Sequence, residues 1–478
     1  MNGSFSTPIV KALHPSAVIA VAALLLIVAF VIVRPVGTPG PAMRDFEAYY
    51  SAGVVAQHGG DPYGRDIWEV ERTIPGVDPS HNETLPFVGP PASLFLWRTL
   101  ALLPYSIAGR VWGATMALTM MALILASLEL AGAQRRPDIL IGAYIFVGSY
   151  GPLTSDIALG QVALLSGAGV VLTLLLFRTR RWWTAAFSAL AAALQPNLGL
   201  VLVVVRDARA WAAFALGFIL FAAATALEGG LPGFVRYLDL LRAHGAAEHA
   251  VVIQITPGSI AYGFGAGETA ARVVAVAAAL AALVLVALAL RAVRRMTARV
   301  ALAICALPFI LPFFHEHDFL LTILPALWCA IVARGRALGF AAFFAVASGI
   351  DWLGLGQRPL NALQSVVLCA TCGLGFALVA RLRAAAFAGL LVVPFVAAVS
   401  LIAATHPVPI WPDGLPPHWV PPVDADISRV WELSQIAAGL TAQVPLWDVL
   451  RALSLLSTAL LGFAVYRISA LPGQREVP

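Results

Sequence analysis

Charge is what this chain has least of. Only 12% of its 478 residues are Asp, Glu, Lys or Arg, against roughly 25% in ordinary soluble domains, while 60% are hydrophobic and the mean hydropathy is +0.86. A soluble globular fold is excluded on composition. Lysine is nearly absent: of the 30 basic residues only Lys11 is a lysine. The formal charge of +5 rests on arginines scattered through short stretches between apolar runs, so it marks membrane topology and not a nucleic-acid surface. Cysteine is scarce too. Cys305, Cys329, Cys369 and Cys372 all lie within apolar runs, which gives no disulfide framework. Cys369 and Cys372 share a helix face and read as small buried residues, not as a redox or metal pair. There is also no internal repeat, low-complexity tract or soluble domain, which leaves 1–478 as a single integral-membrane domain.

What is present is a series of apolar runs of about 17 to 25 residues, each long enough to cross a hydrocarbon core as a helix. The arginine clusters at 135–136, 178–181, 206–209, 291–299, 334–336 and 381–383 are placed on the cytoplasmic side. Spans then fall near 15–33, 105–131, 138–152, 161–177, 210–227, 270–291, 299–313, 318–333, 337–353, 361–380, 385–404 and 447–466. This predicts an all-α polytopic bundle of about twelve crossings with both termini inside. The first run lacks a small-residue cleavage site and reads as a retained span. Residues 184–205 have arginines at both ends yet are too short to cross twice, and Gln195-Pro196-Asn197 breaks them, so a re-entrant hairpin is expected.

With this topology the long loops 34–104, 228–269 and 405–446 emerge on the outer side, with shorter ones at 153–160, 314–318 and 354–360. The first contains "FEAYYSAGVVAQHGG" and "PASLFLWRTLALLP", whose apolar spacing suits short interfacial helices. Asp45 lies close behind the first span, near the level of a lipid headgroup. A carboxylate there is partly desolvated, which favours a base for a membrane-borne hydroxyl. Asp before a helical run is equally a favoured N-cap, and from the residues alone both readings stand.

The ordered set "RDFEAYYSAG", "GGDPYGRD", "PPASLFLWRTLALLP", "LGQVALLSG", "LQPNLGLVL" and "FFHEHDFLL" resembles GT-C integral-membrane glycosyltransferases. It is similar in particular to the bacterial family that contains the polyprenyl-phosphate-mannose-dependent phosphatidylinositol mannoside mannosyltransferase and a related arabinofuranosyltransferase. The likeness runs from about residue 40 to 330. It implies an inverting transfer of a sugar, expected to be mannose, from a polyprenyl-phosphate donor to a glycolipid or glycan acceptor. The implied place is the periplasmic face of the cell membrane, among membrane lipids, with no nucleotide sugar, nucleic acid, cofactor or metal. The general base of that family falls on Asp45.

A donor phosphate gains charge as its bond to the sugar breaks, and cations or N–H donors must meet it. The resemblance places the late histidine of the family at His315 or His317, which the sequence does not separate. A satisfied interfacial pair, or with Asp318 a metal site, are the other readings of these histidines. Arg65 and Arg358 are further candidates for the donor phosphate, as are Arg72, Arg236 and Arg242, although each also suits a loop charge. Glu47, Tyr49, Tyr50, Asp156 and Gln161 are candidate acceptor or sugar contacts; Glu47 is expected to point away from Asp45, and Tyr63 and Trp68 are further candidates for stacking on sugar or lining the interface. "GFGAGE" at 263–268 follows no strand, so it is no dinucleotide site, and "NET" at 82–84 fits a eukaryotic glycosylation acceptor but is set aside because a bacterial source is expected. A transporter or lipid flippase, or a scaffold without catalysis, are the rival classes; the polar residues, clustered in outer loops, favour the enzyme.

Overall fold

The computed structural model describes residues 43–74, 85–133, 136–352, 355, 362–403, 419–420 and 422–470. The expected first span, Arg358 and the sequon at 82–84 lie outside them. The described chain is an all-α bundle with no β-sheet among the described residues. It opens with α1 (Arg44–Gln57), α2 (Asp66–Thr73) and, after a 3-10 turn at Pro91–Ser93, α3 (Leu94–Leu100). Then follow α4 (Tyr105–Leu130), α5 (Pro137–Gly148), α6 (Gly151–Leu159), α7 (Ala163–Leu176), α8 (Arg181–Leu194) and the single turn α9 (Pro196–Gly199).

The second half contains α10 (Ala208–Glu228), α11 (Gly230–Glu248), α12 (Pro257–Gly263), α13 (Glu268–Ala292) and α14 (Met296–Ile310). A 3-10 segment at His317–Thr322 leads into α15 (Ile323–Val332), and α16 (Gly335–Ala347), α17 (Ala362–Val379), α18 (Val392–Ala403), α19 (Ile427–Ala437) and α20 (Pro445–Ala470) complete it. Local chemistry sets many of these starts. Proline occupies the first turn of α5, α9, α12 and α20, where no backbone N–H is needed. Asp207 accepts from the N–H of Arg209 at 2.8 Å to cap α10, and Asp426 does the same for α19 through Arg429 at 2.9 Å. Thr256 and Ser259 form a reciprocal capping box on α12.

Five of the described helices are long and apolar enough to cross a membrane: α4, α10, α13, the continuous helix 384–402 and α20. Only Ala271 and Leu290 of α13 are buried, and Val276, Leu280, Val284 and Leu288 are among its exposed side chains, which suits a helix facing hydrocarbon and not water. At the centre, α15 is buried through Ile323, Leu324, Trp328 and Cys329. The expected break at Gln195-Pro196-Asn197 is present: α8 ends there, and the chain continues as one α-turn and a 3-10 turn over Leu200–Val204.

Three differences from the sequence reading matter for function. The stretch 228–269, expected as a loop, contains the 19-residue α11. Its Tyr237, Leu240, His244 and Glu248 form a buried stripe at helical spacing, while Leu231, Val235 and Leu238 are exposed on the other side. Likewise, of 153–160 all but Gly160 belongs to helix α6, and 405–446 includes α19. Finally, α1 does not lie on a surface. Phe46, Ala48, Tyr49, Tyr50 and Ala52 are all buried, because α2, α3 and α6 pack round it and the Tyr105 and Trp112 rings of α4 lie against Phe46. Phe46 stacks on Trp112 of α4 at 6.0 Å and Tyr49 on Trp97 of α3 at 4.7 Å.

Candidate active site

The first turn of α1 is held in an unusual way. Met43, immediately before the helix, takes the left-handed conformation at φ 60°, which costs a non-glycine residue about 1 kcal/mol or more. Its N–H donates to the carbonyl of Ala158 at 2.5 Å, so the strained residue is tied to the end of α6. The helix is capped by Met43 and not by Asp45, whose side chain is therefore available for another partner.

That partner is Gln161. Its Nε2 donates to Asp45 Oδ2 at 2.6 Å, and its Oε1 accepts from the Tyr49 hydroxyl at 2.7 Å. Asp45 and Tyr49 are one turn apart on the same face of α1, so a single amide bridges them. Gly160 makes this possible. It ends α6 at φ 71°, where a Cβ would stand 2.8 Å from that of Phe46, and its carbonyl accepts from Trp112 Nε1 at 2.9 Å. Burial pushes the Asp45 carboxyl up to about 6, against the Arg44 and His315 charges and the Gln161 hydrogen bond, which lower it.

Asp45 and Gln161 face a cavity of about 370 Å³, within the range of small-molecule sites. Its walls come from α1, the 85–97 segment, the turn after α6, the break between α8 and α9, the inner stripe of α11, the 311–317 segment and α19. His315 and His317 line it as well, their rings stacked at 5.2 Å. Both sit on a turn closed by Asp318, whose Oδ2 accepts the His315 N–H at 2.9 Å and whose Oδ1 accepts Gln195 Nε2 at 2.6 Å. The broken helix is thus joined to the histidine turn through one buried carboxylate.

Behind His315 lies a second carboxylate. Glu248, the last residue of α11, has its Oε2 3.2 Å from His315 Nε2 and accepts Gln254 Nε2 on the same oxygen at 2.7 Å. Its Oε1 accepts Trp431 Nε1 at 2.7 Å and Gln435 Nε2 at 3.2 Å, both from α19, and faces His244 Nε2 at 3.3 Å. Burial alone raises a carboxyl, yet the charge of His244, the hydrogen bond and charge of His315 and the Trp431 N–H outweigh it and hold Glu248 down at about 2. Burial works against the charged form of His315, but the Glu248 hydrogen bond and charge, with Asp318 and Asp45, lift it above the ordinary histidine value.

The structure therefore brings Asp45, Tyr49, Gln161, His315 and His317 to one cavity. Other candidates are elsewhere. Glu47 is buried away from the cavity, its Oε1 3.4 Å from the Tyr105 hydroxyl, because two residues along a helix turn a side chain to another face. The Tyr50 hydroxyl donates to the carbonyl of Leu103 at 2.8 Å. Asp156 is fully buried outside the cavity lining; burial and then the Asp318 charge push its carboxyl well up. Arg65 does not face the cavity either. Its guanidinium donates to the carbonyls of Pro422, Val423 and Ala425 and lies over Trp68, so it anchors the segment entering α19. Arg236 pairs with Asp61, and Arg242 lies 4.0 Å from Asp239.

His315, His317 and Asp318 present donor atoms within 4.8 Å of one another, the arrangement among the described residues that comes nearest to a cation site. Both Asp318 oxygens and His315 Nε2 are already engaged by Gln195, the His315 backbone and Glu248, so the set is organised by internal hydrogen bonds. The sequence reading missed Arg44, Gln195, His244, Glu248 and Trp431, all of which line the cavity. The i, i+4 pair His244 and Glu248 is the signal in the sequence, obscured because the charged residues around it make the segment resemble a loop.

Residues 87–314 match the family model of Glycosyltransferase family 87. The match supports a membrane glycosyltransferase; it takes in Gln161, Gln195 and Glu248, and Asp45, His315 and His317 lie beyond its ends. No curated protein and no solved structure matches the chain.

Proposed function

We propose that this protein transfers a sugar, with mannose the expected one, from a polyprenyl-phosphate donor to a lipid-linked glycan acceptor at the outer face of the cytoplasmic membrane. The observation that carries the reading is the pairing, across one cavity, of a desolvated carboxylate with a carboxylate-backed histidine. Each half suits one end of an inverting displacement. Asp45 takes the proton of the acceptor hydroxyl as its oxygen bonds to the anomeric carbon; on the opposite side the bond from that carbon to the phosphate oxygen breaks, and the phosphate departs with one additional negative charge.

The Asp45 carboxyl, at about 6, is ionised near neutral pH and still basic enough to accept a proton in the transition state. Gln161 holds its Oδ2 in place and is itself fixed by Tyr49, so the base does not have to be ordered at the moment of reaction. His315 supplies charge and N–H donors where the phosphate charge grows, with His317 stacked beside it. The exposed apolar helices keep this machinery within reach of substrates with lipid tails.

The experiment offers purified protein in lipid a polyprenyl-phosphate mannose, a polyprenyl-phosphate arabinofuranose and a nucleotide-activated mannose, each with a mannosylated lipid acceptor. Turnover with a lipid-phosphate donor and an inverted anomeric configuration in the product are expected. Use of the nucleotide sugar alone, or retention of configuration, overturns the reading.

A further inference from the structure

Glu248, the carboxylate behind His315, is the most heavily hydrogen-bonded carboxylate of the cavity. It is 2% exposed, while His315 is 14% exposed at the wall. A bare carboxylate there would repel a phosphate and would be costly to bury. Four side chains on three parts of the chain prevent this: Trp431 and Gln435 from α19, Gln254 from the turn before α12, and His244 one turn back on α11. Gln254 is itself built in. Its Oε1 accepts the N–H of Phe314, the neighbour of His315, at 2.8 Å, and its carbonyl accepts Arg451 Nε at 3.0 Å. Arg451 is paired with Asp448 inside α20, so the support reaches a helix that spans the bundle.

We propose that Glu248 is a positioning residue for sugar transfer: the fixed counter-ion that orients His315 and keeps it as an imidazolium, with the charge available to the departing phosphate. The proposal rests on the reading of the cavity as a lipid-phosphate-sugar site. Its logic is that of a buried carboxylate behind a catalytic histidine, which selects the ring's orientation and stabilises its charged form without itself reacting. With Nε2–H directed at Glu248, Nδ1–H remains as the ring's second donor.

The groups that face His315 are Glu248 and His244 of α11, Asp45 of α1, and His317 and Asp318 of its own turn; Arg44 and Glu316 line the same cavity. The carboxylates favour the charged ring and His244 opposes it. His244 is held below the ordinary histidine value, first by burial and also by the His315 charge, with Glu248 pulling the other way. It therefore competes less for the proton than His315 does. A raised histidine stays charged below its folded value and loses the charge as pH rises through it, so donor binding weakens on the alkaline side. Removing the Glu248 charge leaves burial dominant and moves that loss to lower pH.

The test measures the donor KM from pH 5.5 to 9 for the full-length protein in lipid with polyprenyl-phosphate mannose, together with Glu248→Gln, Glu248→Asp and His315→Gln. The wild type is expected to keep a low KM to a pH above the ordinary histidine value of about 6.5. Glu248→Gln should show its rise in KM at lower pH, about tenfold weaker at pH 7.5. Glu248→Asp should recover much of the difference. A wild-type limb at or below 6.5, or an unmoved limb in Glu248→Gln, overturns the proposal, and the first of these readouts holds even if Glu248→Gln does not fold. If His315→Gln leaves KM and its pH dependence untouched, the phosphate-site reading itself fails; if His315→Gln removes the limb and Glu248→Gln does not shift it, only the role of Glu248 falls.

Discussion

Replacing Asp45 with Asn should stabilise the fold while removing the base. Burial raises the carboxyl from 3.8 to about 6, and that displacement corresponds to about 3 kcal/mol of preference for the neutral form in the folded protein. The sign follows from proton binding. Between about pH 4 and 6 the folded protein holds a proton on Asp45 that the unfolded chain has released, so stability falls as pH rises through this window. Above it the full penalty of the buried charge is present, and below it both states are neutral and the penalty vanishes. Asn keeps the size of the side chain and can still accept from Gln161 through its Oδ1. Thermal unfolding of wild type and Asp45→Asn, followed by intrinsic fluorescence at pH 4, 6 and 8, should show the variant a few degrees more stable at pH 8, with the gap closing at pH 4. Wild-type kcat should fall about tenfold per pH unit below 6. Equal melting at pH 8, or an acid limb near 4, refutes the claim that this carboxylate is desolvated.

Other perturbations probe the same architecture. Gln161→Leu removes a 2.6 Å hydrogen bond to the ionised form and should raise the acid limb by about one pH unit, measurable in the pH dependence of kcat; an unchanged limb would mean that Gln161 does not hold the base. Gly160→Ala forces a side chain into the left-handed region and against Phe46, which should cost about 1 to 3 kcal/mol and lower both melting temperature and kcat. Arg65→Ala should leave the donor KM within about threefold of wild type, because this guanidinium holds backbone carbonyls at 422–425, whereas His315→Gln should raise it about tenfold or more.

Much of this arrangement was legible in the sequence because membrane helices announce themselves through hydropathy and their ends through proline and glycine. The helix boundaries at Tyr105, Pro137 and Pro445, and the break at Gln195-Pro196-Asn197, follow from those signals. Asp45, Gln161 and the histidine turn were separately visible as polar residues beside apolar runs. Their convergence was not, since it depends on the left-handed Met43 and Gly160, which bring the ends of α1 and α6 together. The wall made by α11 was hidden for a different reason. Arg236, Asp239, Arg242 and His244 interrupt its apolar run, so hydropathy reports a loop where an amphipathic helix forms. Arg65 misled in the opposite direction: a free cation by sequence, it is engaged by carbonyls more than 350 residues away along the chain.

In the proposed reaction Asp45 removes the acceptor's proton while the sugar leaves a lipid phosphate. Its most direct test is single-turnover transfer of labelled mannose from polyprenyl-phosphate mannose by wild type and by Asp45→Asn in the same proteoliposomes, with donor binding verified for both. Donor binding should be intact in the variant and the transfer rate lower by about 10²- to 10⁴-fold. Transfer by the variant at close to the wild-type rate would contradict this role of Asp45.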